Sequence, residues 1–590
     1  MAFDGKTKQQ NREAIIFHFP NEETEDRDDH DVNVEVEEKL SLPEDASGQG
    51  HPRGLRFWAI IFTLAISRLM VGVEMTIAAT SLPTIAEKLH MGASYVWVQN
   101  ANALTSAIVS PLLGQLAQLF GRRRLAASVV AVFSLGGLIS GASTGGAMLA
   151  FGRAVQGAGG GGIGLMTNII VSDMVPLRDR GNYIALVLTV FMAGASLGPL
   201  LGGVLVQAEG AHSWRWVFWL PVAPGVMCLV LMLLFVPVEP AWKSGDDGQQ
   251  ETAWSKLKSI DYVGNMLVMG STTSALVALT YGGAQYPWSS PQVVIPLALG
   301  VAGLIAFTLV EGLVPIPLSP AVAERFTASH PVLPPRLLYH RTGAIVGVNA
   351  FLSSLVSSWA NFFLSVYFQA VRQSGPALAG LQVLPTVLTT VPVAIVSVWL
   401  VSKTGRYKFL HVVGFVAMTL TLTLIGATLD RESSDLSWMM LQIVYAAGVG
   451  AVVNTLLPAF QAGVPESDQA AATATFTFLR GLANTWSLTI PAAIFNNRCE
   501  ALVSKIADEA VRVDLSQGRA YEHATAAYLA KLPVEIRDVV IDVLTEALKS
   551  VWYIAAICAG LALCLAVFEK DIPLRTKLEG NEKEVTDEEE

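Results

Sequence analysis

Between residues 57 and 569 the chain is a train of apolar runs, each about 20 residues long, separated by polar joints. About 20 residues of helix cross the roughly 30 Å hydrocarbon core of a bilayer. Within lipid every backbone N–H and C=O needs an internal partner, and a helix supplies one within each segment. The runs lie near 57–82, 95–119, 124–144, 146–171, 184–206, 215–237, 261–281, 291–313, 343–368, 377–401, 408–429, 437–462, 474–495 and 551–569. They predict an all-α integral membrane protein with fourteen transmembrane helices. Composition agrees: 52% of residues are apolar and 15% charged, against about 25% charged in a soluble chain.

The charge is concentrated at the ends. Residues 21–39, NEETEDRDDHDVNVEVEEK, and the closing EGNEKEVTDEEE carry much of the net charge of −10. Such segments have too little apolar surface to fold, so acidic tails are expected at 1–56 and 570–590. Residues 1–56 have no basic-then-apolar start, and no cleavable signal peptide is expected. Cys228, Cys558 and Cys564 fall in apolar runs, so with Cys499 they suggest no disulfide framework. No nucleotide loop of the G-x-x-x-x-G-K-[ST] type, nucleophile cluster or metal constellation is evident. The sequence therefore suggests neither an enzyme nor a cofactor, and no nucleic-acid partner.

With the N-terminus in the cytoplasm, the short inside joints hold Arg122, Arg123 and Arg124, Arg178 and Arg180, Lys243, Lys256 and Lys258, Arg325, Arg336 and Arg341, and Lys403, Arg406 and Lys408. The short outside joints hold little beyond Lys88, Arg372 and Arg431. Basic residues favour the cytoplasmic side, and an even span count places the C-terminus there too. Gly121-Arg122 closes the second run and Gly405-Arg406 the tenth, 284 residues later. Runs 1–6 and 9–14 thus read as two copies of a six-helix unit. The implied division is 57–237 for the first bundle and 238–342 for two inserted helices with their loops. The second bundle is 343–569, with an outside loop at 496–550. Two facing six-helix halves form a transporter architecture.

The stretch GRAVQGAGGGGIG, 152–164, contains a G-x-G-x-x-G at Gly157, Gly159 and Gly162. A dinucleotide fingerprint follows a strand and opens a helix. Here it sits inside an apolar run, where small residues instead let neighbouring helices approach. Arg153 lies in the same run, close to Gln156. An intramembrane Arg costs about 2.5–3.5 kcal/mol on insertion scales. It is expected to face a polar cavity or a carboxylate, or to bond backbone carbonyls. In GASLGPLLGG, 194–203, Gly194, Gly198 and Gly202 share a helix face, and Pro199 removes a backbone donor. That face suits either a moving interface or static close packing.

These segments together resemble the major facilitator superfamily over residues 57–569, particularly its fourteen-helix drug:proton antiporter branch and the fungal toxin and multidrug pumps within it. GRAVQGAGGGG resembles that branch's R-x-x-Q-G-x-G motif, whose Arg is implicated in proton transfer. GASLGPLLGG matches its antiporter motif through Gly194, Gly198, Pro199, Gly202 and Gly203. GQLAQLFGRRRL, 114–125, resembles the loop motif G-x-L-A-D-[RK]-x-G-R-[RK] at Gly114, Leu116, Gly121, Arg122 and Arg123. Gln118 and Leu119 replace its acidic and basic residues, which implies a differently built latch. EMTIAATSLPTIA, 74–86, resembles the first-span motif, with Glu74 at the acidic position. WRWVFWLP at 214–221 and ATATFTFLRG at 472–481 also resemble this branch.

The resemblance implies two six-helix bundles plus two inserted helices, moving a small molecule across a lipid bilayer against a flow of protons. Glu74 and Arg153 are the candidates for proton coupling, with a fixed ion pair or an exposed place near a span end as the alternatives for Glu74. Candidate cavity residues are Gln99, Asn102, Gln156, Trp359, Asn361, Gln369, Gln442, Asn454, Arg480 and Trp486. Aromatics hold flat apolar molecules and amides orient them; the alternative is that the amides bond neighbouring helices and the tryptophans anchor the interface. Within 496–550, ALVSKIADEAVRVDL and PVEIRDVVIDVLTEALKSV have helical apolar spacing and are expected to form outer helices capping the mouth. The sequence suggests a monomeric exporter of an amphipathic compound at the plasma membrane. The alternatives are a vacuolar basic-amino-acid or siderophore carrier, and a sensor on the same scaffold.

Overall fold

A computed structural model of the chain describes residues 54–120, 122–174, 177–208, 212–236, 262–283, 285–311, 333–465 and 468–572. The acidic stretch at 21–39, most of both expected tails, Gly121, and the basic joints Arg178, Arg180, Lys243, Lys256, Lys258 and Arg325 lie outside that description or have side chains outside it. So do the side-chain surroundings of Gly114 and Gln118.

Fourteen long helices account for nearly everything else described. They are α1 (Leu55–Lys88), α2 (Trp97–Phe120), α3 (Arg122–Gly141), α4 (Gly146–Met174), α5 (Leu177–Gln207), α6 (Val222–Phe235), α7 (Tyr262–Tyr281) and α8 (Pro291–Val310). They continue with α9 (Arg341–Val366), α10 (Pro376–Thr404), α11 (Lys408–Thr428), α12 (Asp435–Val453), α13 (Gln469–Leu502) and α14 (Val534–Val567). Among the described residues, eleven stretches are long and apolar enough to cross a membrane. Intramembrane polar residues concentrate on α2, α4 and α13. These helices carry Gln99, Asn100 and Asn102, Arg153 and Gln156, and Arg480 and Asn484, respectively. Polar residues in membrane helices face the bundle interior or a watery path, so these polar side chains mark the helices that build the interior. The outer surface is the reverse. On α8, Val294, Ile295, Leu299, Val301 and Ile305 are all exposed, an apolar face suited to lipid.

The packing repeats. α1 packs on α5, α2 and α3 on α4, and α3 on α6. Eight helices later, α9 packs on α13, α10 and α11 on α12, and α11 on α14. α7 and α8 pair with each other, and α7 also leans on α13. The two halves meet through α5 with α10, α2 with α13 and α1 with α9.

The glycines fix how closely helices approach. A Cβ on Gly157 would strike the Asn102 carbonyl on α2, and one on Gly159 the Phe133 backbone on α3. The G-x-G-x-x-G is therefore a packing surface inside α4. On α5, Gly194, Gly198 and Gly202 lie against Leu69, Val73 and Ile77 of α1, while Gly203 faces Pro376 of α10. Pro199 lacks the N–H that would bond Ala195, four residues back. Thr76 of α1 donates its hydroxyl to that carbonyl at 2.9 Å, and Thr80 donates to the Pro199 carbonyl at 2.6 Å.

Several boundaries differ from the sequence expectation. α14 begins at Val534 rather than 551, so PVEIRDVVIDVLTEALKSV is the first half of the last helix and not a separate outer one. Its Val540, Ile541, Val543, Leu544, Ala547 and Leu548 are buried. That apolar stripe bonds it into the bundle, and no helix breaker separates it from residue 551. α13 likewise runs on to Leu502, which leaves 503–533 as the intervening segment. The run at 437–462 divides at Asn454–Thr455 into α12 and a short helix, Leu456–Ala462.

Candidate functional site

Three helices of the first half converge on Arg153. Its guanidinium pairs with the Glu74 carboxylate of α1. It also donates from Nη1 to Gln156 Oε1 at 2.7 Å, from Nε to the Val98 carbonyl at 2.8 Å, and from Nη2 to Gln99 Oε1 at 3.5 Å. Gln156 is one turn along α4, which puts its amide on the Arg153 side of the helix. On its other side the guanidinium lies 5.7 Å from the centre of the Phe218 ring, a favourable cation–π position. Glu74 receives a second bond, from Asn102 Nδ2 at 3.2 Å. Arg153 is 1% exposed and Glu74 4%.

The arrangement is lopsided. Arg153 keeps three neutral acceptors besides Glu74, whereas Glu74, among the described residues, is held by Arg153 and Asn102. Orphaning one member of a buried ion pair costs about 3–5 kcal/mol. The carbonyl and two amides lessen that cost for Arg153, so Glu74 can be neutralised without leaving an unsolvated cation. The sequence named Glu74, Gln99, Asn102, Arg153 and Gln156, and the structure gathers all five. Phe218 and the Val98 carbonyl were not singled out. The WRWVFWLP stretch that contains Phe218 was the available signal.

The candidates of the second half do not form one cluster. Trp359 is fully buried in α9, and Asn361 beside it is half-buried. Arg480 of α13 donates from Nε to Ser354 Oγ of α9 at 3.0 Å and lies over the Phe476 ring. Trp486 and Asn454 are half-buried, the latter at the α12 break. Gln442 bridges α12 to α10, donating to the Gln382 carbonyl at 3.1 Å and accepting from Thr386 at 2.8 Å. Its amide is engaged between helices. Gln369 is a contact between halves, donating to the Thr80 carbonyl at 3.2 Å.

That last bond belongs to a seal. Asn100 of α2 donates to Thr489 of α13, and Gln207 at the end of α5 accepts from Ala377 N of α10 at 3.3 Å. All of these contacts lie at the face where α1, α5, α9 and α13 end. The segment between α13 and α14 covers the same face. Its Tyr521 ring stacks on Tyr95 of the first half, 4.0 Å between centres and 6° from parallel. Glu522 accepts from Gly92 N at 3.1 Å, and Lys531 reaches Glu87 at 3.7 Å. Burial raises the Glu522 carboxyl above its usual range, against the opposing pull of the Gly92 N–H. ALVSKIADEAVRVDL contributes the end of α13 and a short helix, Glu509–Leu515, to this cover.

The family model for the Major Facilitator Superfamily matches residues 64–487. The chain belongs to the major facilitator superfamily. It is a multi-pass membrane transporter and not an enzyme. This facilitator is 39% identical over 527 residues to the MFS-type transporter ucsD of an Acremonium species, covering 89% of this chain and 86% of the other. It is 37% identical over 528 residues to the MFS efflux transporter aclA of Aspergillus oryzae, covering 89% and 91%. Its fold superimposes on the crystal structure of a bacterial homologue of the human lysosomal transporter Spinster in an inward-facing, occupied conformation. That match has a TM-score of 0.61 at 12% identity, covering 89% of this chain and 98% of the other.

Proposed function

We propose that this facilitator is a proton-coupled efflux transporter that exports an amphipathic organic compound, such as a fungal secondary metabolite, toxin or drug, by alternating access. The observation that carries the reading is the buried Glu74–Arg153 pair with its unequal set of partners. Glu74 is the group that takes and gives the proton. When ionised it is held by Arg153 and Asn102. When protonated it releases Arg153 to Val98, Gln99 and Gln156, and α1 is freed from α4. α1 is also the helix that lies on the glycine face of α5, through Gly194, Gly198 and Gly202. A smooth contact of that kind lets α1 shift with only the Thr76 and Thr80 hydroxyl bonds to α5 to re-form. The proton state of Glu74 is thereby linked to the packing of α5, whose end belongs to the seal between halves.

The sealed face is read as extracellular, because the basic joints lie at the opposite helix ends. Both termini are then cytoplasmic, the central chamber opens inward, and the plasma membrane is the location that makes export useful. The transporter works as a monomer, since each half supplies one wall. The relatives named as efflux transporters support the direction of transport. Proton flux recorded with an entrapped pH dye in proteoliposomes tests the assignment. Cargo addition drives proton movement with the native protein, and Glu74→Gln abolishes it. Unchanged proton movement in the variant refutes the role.

A further inference from the structure

A second buried ionisable pair lies far along the chain from Glu74. His411, one turn into α11, has its Nδ1 at 2.9 and 3.1 Å from the two carboxylate oxygens of Glu569, just past the end of α14. Its Nε2 is 3.1 Å from the Thr455 hydroxyl, at the α12 break. His411 and Glu569 side chains are both 0% exposed.

The hydrogen bonds count the protons. The Thr455 hydroxyl has one hydrogen, and the carbonyls of Ala451 and Val452 lie 2.7 and 3.1 Å away to receive it. Toward His411 it acts as an acceptor, so Nε2 carries a hydrogen. A bare Nδ1 would then turn its lone pair on a carboxylate at hydrogen-bond distance. A further proton therefore lies between ring and carboxyl, whichever of the two it is drawn on.

We propose that His411 and Glu569 form a second proton-holding site, distinct from the Glu74–Arg153 pair, which clasps the chain leaving α14 onto the ends of α11 and α12. The strap it closes is short, and Tyr407 holds the rest of its described residues. Ile572 N donates to Tyr407 Oη at 3.0 Å, Tyr407 N reaches Asp571 Oδ1 at 3.4 Å, and Tyr407 Oη reaches the Lys570 carbonyl at 3.5 Å. The other titratable or charged groups around it are Tyr407 just before α11, Lys570 and Asp571 on the strap, and Arg341 of α9, whose guanidinium is 5.8 Å from the Phe568 ring. Among the described residues, the ion-pair partner of Glu569 is His411. On the proposed orientation the site lies at the cytoplasmic face. Loss of its proton on alkalinisation sets a lone pair against a carboxylate and loosens the strap.

Limited trypsin digestion after the exposed Lys570 tests this on the full-length protein in nanodiscs, because cleavage requires the strap to open locally. Glu569→Gln keeps a neutral partner for Nδ1 and is the reference at each pH, which cancels the protease's own pH dependence. As pH rises, native cleavage relative to this reference accelerates by up to about tenfold per pH unit. That is the limit for release of one proton. His411→Gln removes the response, while Glu74→Gln leaves it intact. A flat ratio for the native protein overturns the proposal, as does a native-like pH response in His411→Gln. If His411→Gln does not fold, the native-to-Glu569→Gln ratio alone decides.

Discussion

The hydroxyl of Thr76 on α1 donates, at 2.9 Å, to the carbonyl of Ala195 on α5, the acceptor that Pro199 leaves without its helical donor. A proline inside a membrane helix is tolerated when a neighbouring helix satisfies the freed group, and here the neighbour is the helix that carries Glu74. The proline of α5 and the proton candidate are thus joined through one helix.

This relationship is testable as a cycle. Interhelical hydrogen bonds in membranes are worth about 0.6 kcal/mol on average, with a maximum near 1.7. Thr76→Val should lower the melting temperature in detergent by an amount equivalent to about 1 kcal/mol. In a Pro199→Ala background the main-chain bond to Ala195 returns, and the same substitution should cost measurably less. Equal costs in the two backgrounds would show that Thr76 acts elsewhere.

A side chain at Gly198 has no room, because its Cβ would strike the Thr76 hydroxyl and the Val73 carbonyl. Overpacking of this kind costs about 1–3 kcal/mol. Gly198→Leu should lose stability in the same melting assay and separate α1 from α5. Export should fall even in the fraction that remains folded, as read by cargo efflux per unit of folded protein.

Arg153 depends on a planar fork that reaches four acceptors, and lysine offers a point charge instead. Arg153→Lys keeps the sign of the charge but cannot satisfy Glu74, Gln99, Gln156 and Val98 together. Coupled transport should drop by about tenfold, equivalent to about 1.4 kcal/mol. The initial rate of gradient-driven transport in proteoliposomes is the readout.

The cover over the sealed face should depend on pH through Glu522. Its docked carboxyl is shifted upward by burial, so the docked state binds more protons than the undocked one. Docking is fully favoured below the ordinary glutamate range and weakens as pH rises through the shifted value. Hydrogen exchange at residues 519–524, corrected for the intrinsic rate, should increase across that window. Glu522→Gln should remain docked and lose the dependence.

The membrane class and the first-half site were legible in the sequence because both rest on strong local signals. A 20-residue apolar run has few alternative folds, and an intramembrane Arg153 demands a partner that the acidic Glu74 supplies. The second half was less readable. Gln369 and Gln442 were grouped as cavity residues on their amide chemistry, yet they bond the Thr80 and Gln382 carbonyls, and an amide shows no preference between cargo and backbone. The start of α14 was placed at 551 because Glu535, Arg537, Asp538, Asp542 and Glu546 lower the hydropathy before it. The buried stripe of the same helix continues through them. His411 and Glu569 were passed over, although an ionisable residue inside an apolar run is the same signal that drew attention to Arg153.

The central claim is that proton movement through the Glu74–Arg153 pair drives cargo. The most direct measurement is cargo uptake into inside-out proteoliposomes, with an imposed pH gradient as the sole energy source. The account predicts uptake that starts with the gradient, stops on its collapse by an ionophore, is indifferent to ATP, and is absent in Glu74→Gln. Uptake that persists after the gradient is dissipated, or that Glu74→Gln performs at the native rate, would contradict it.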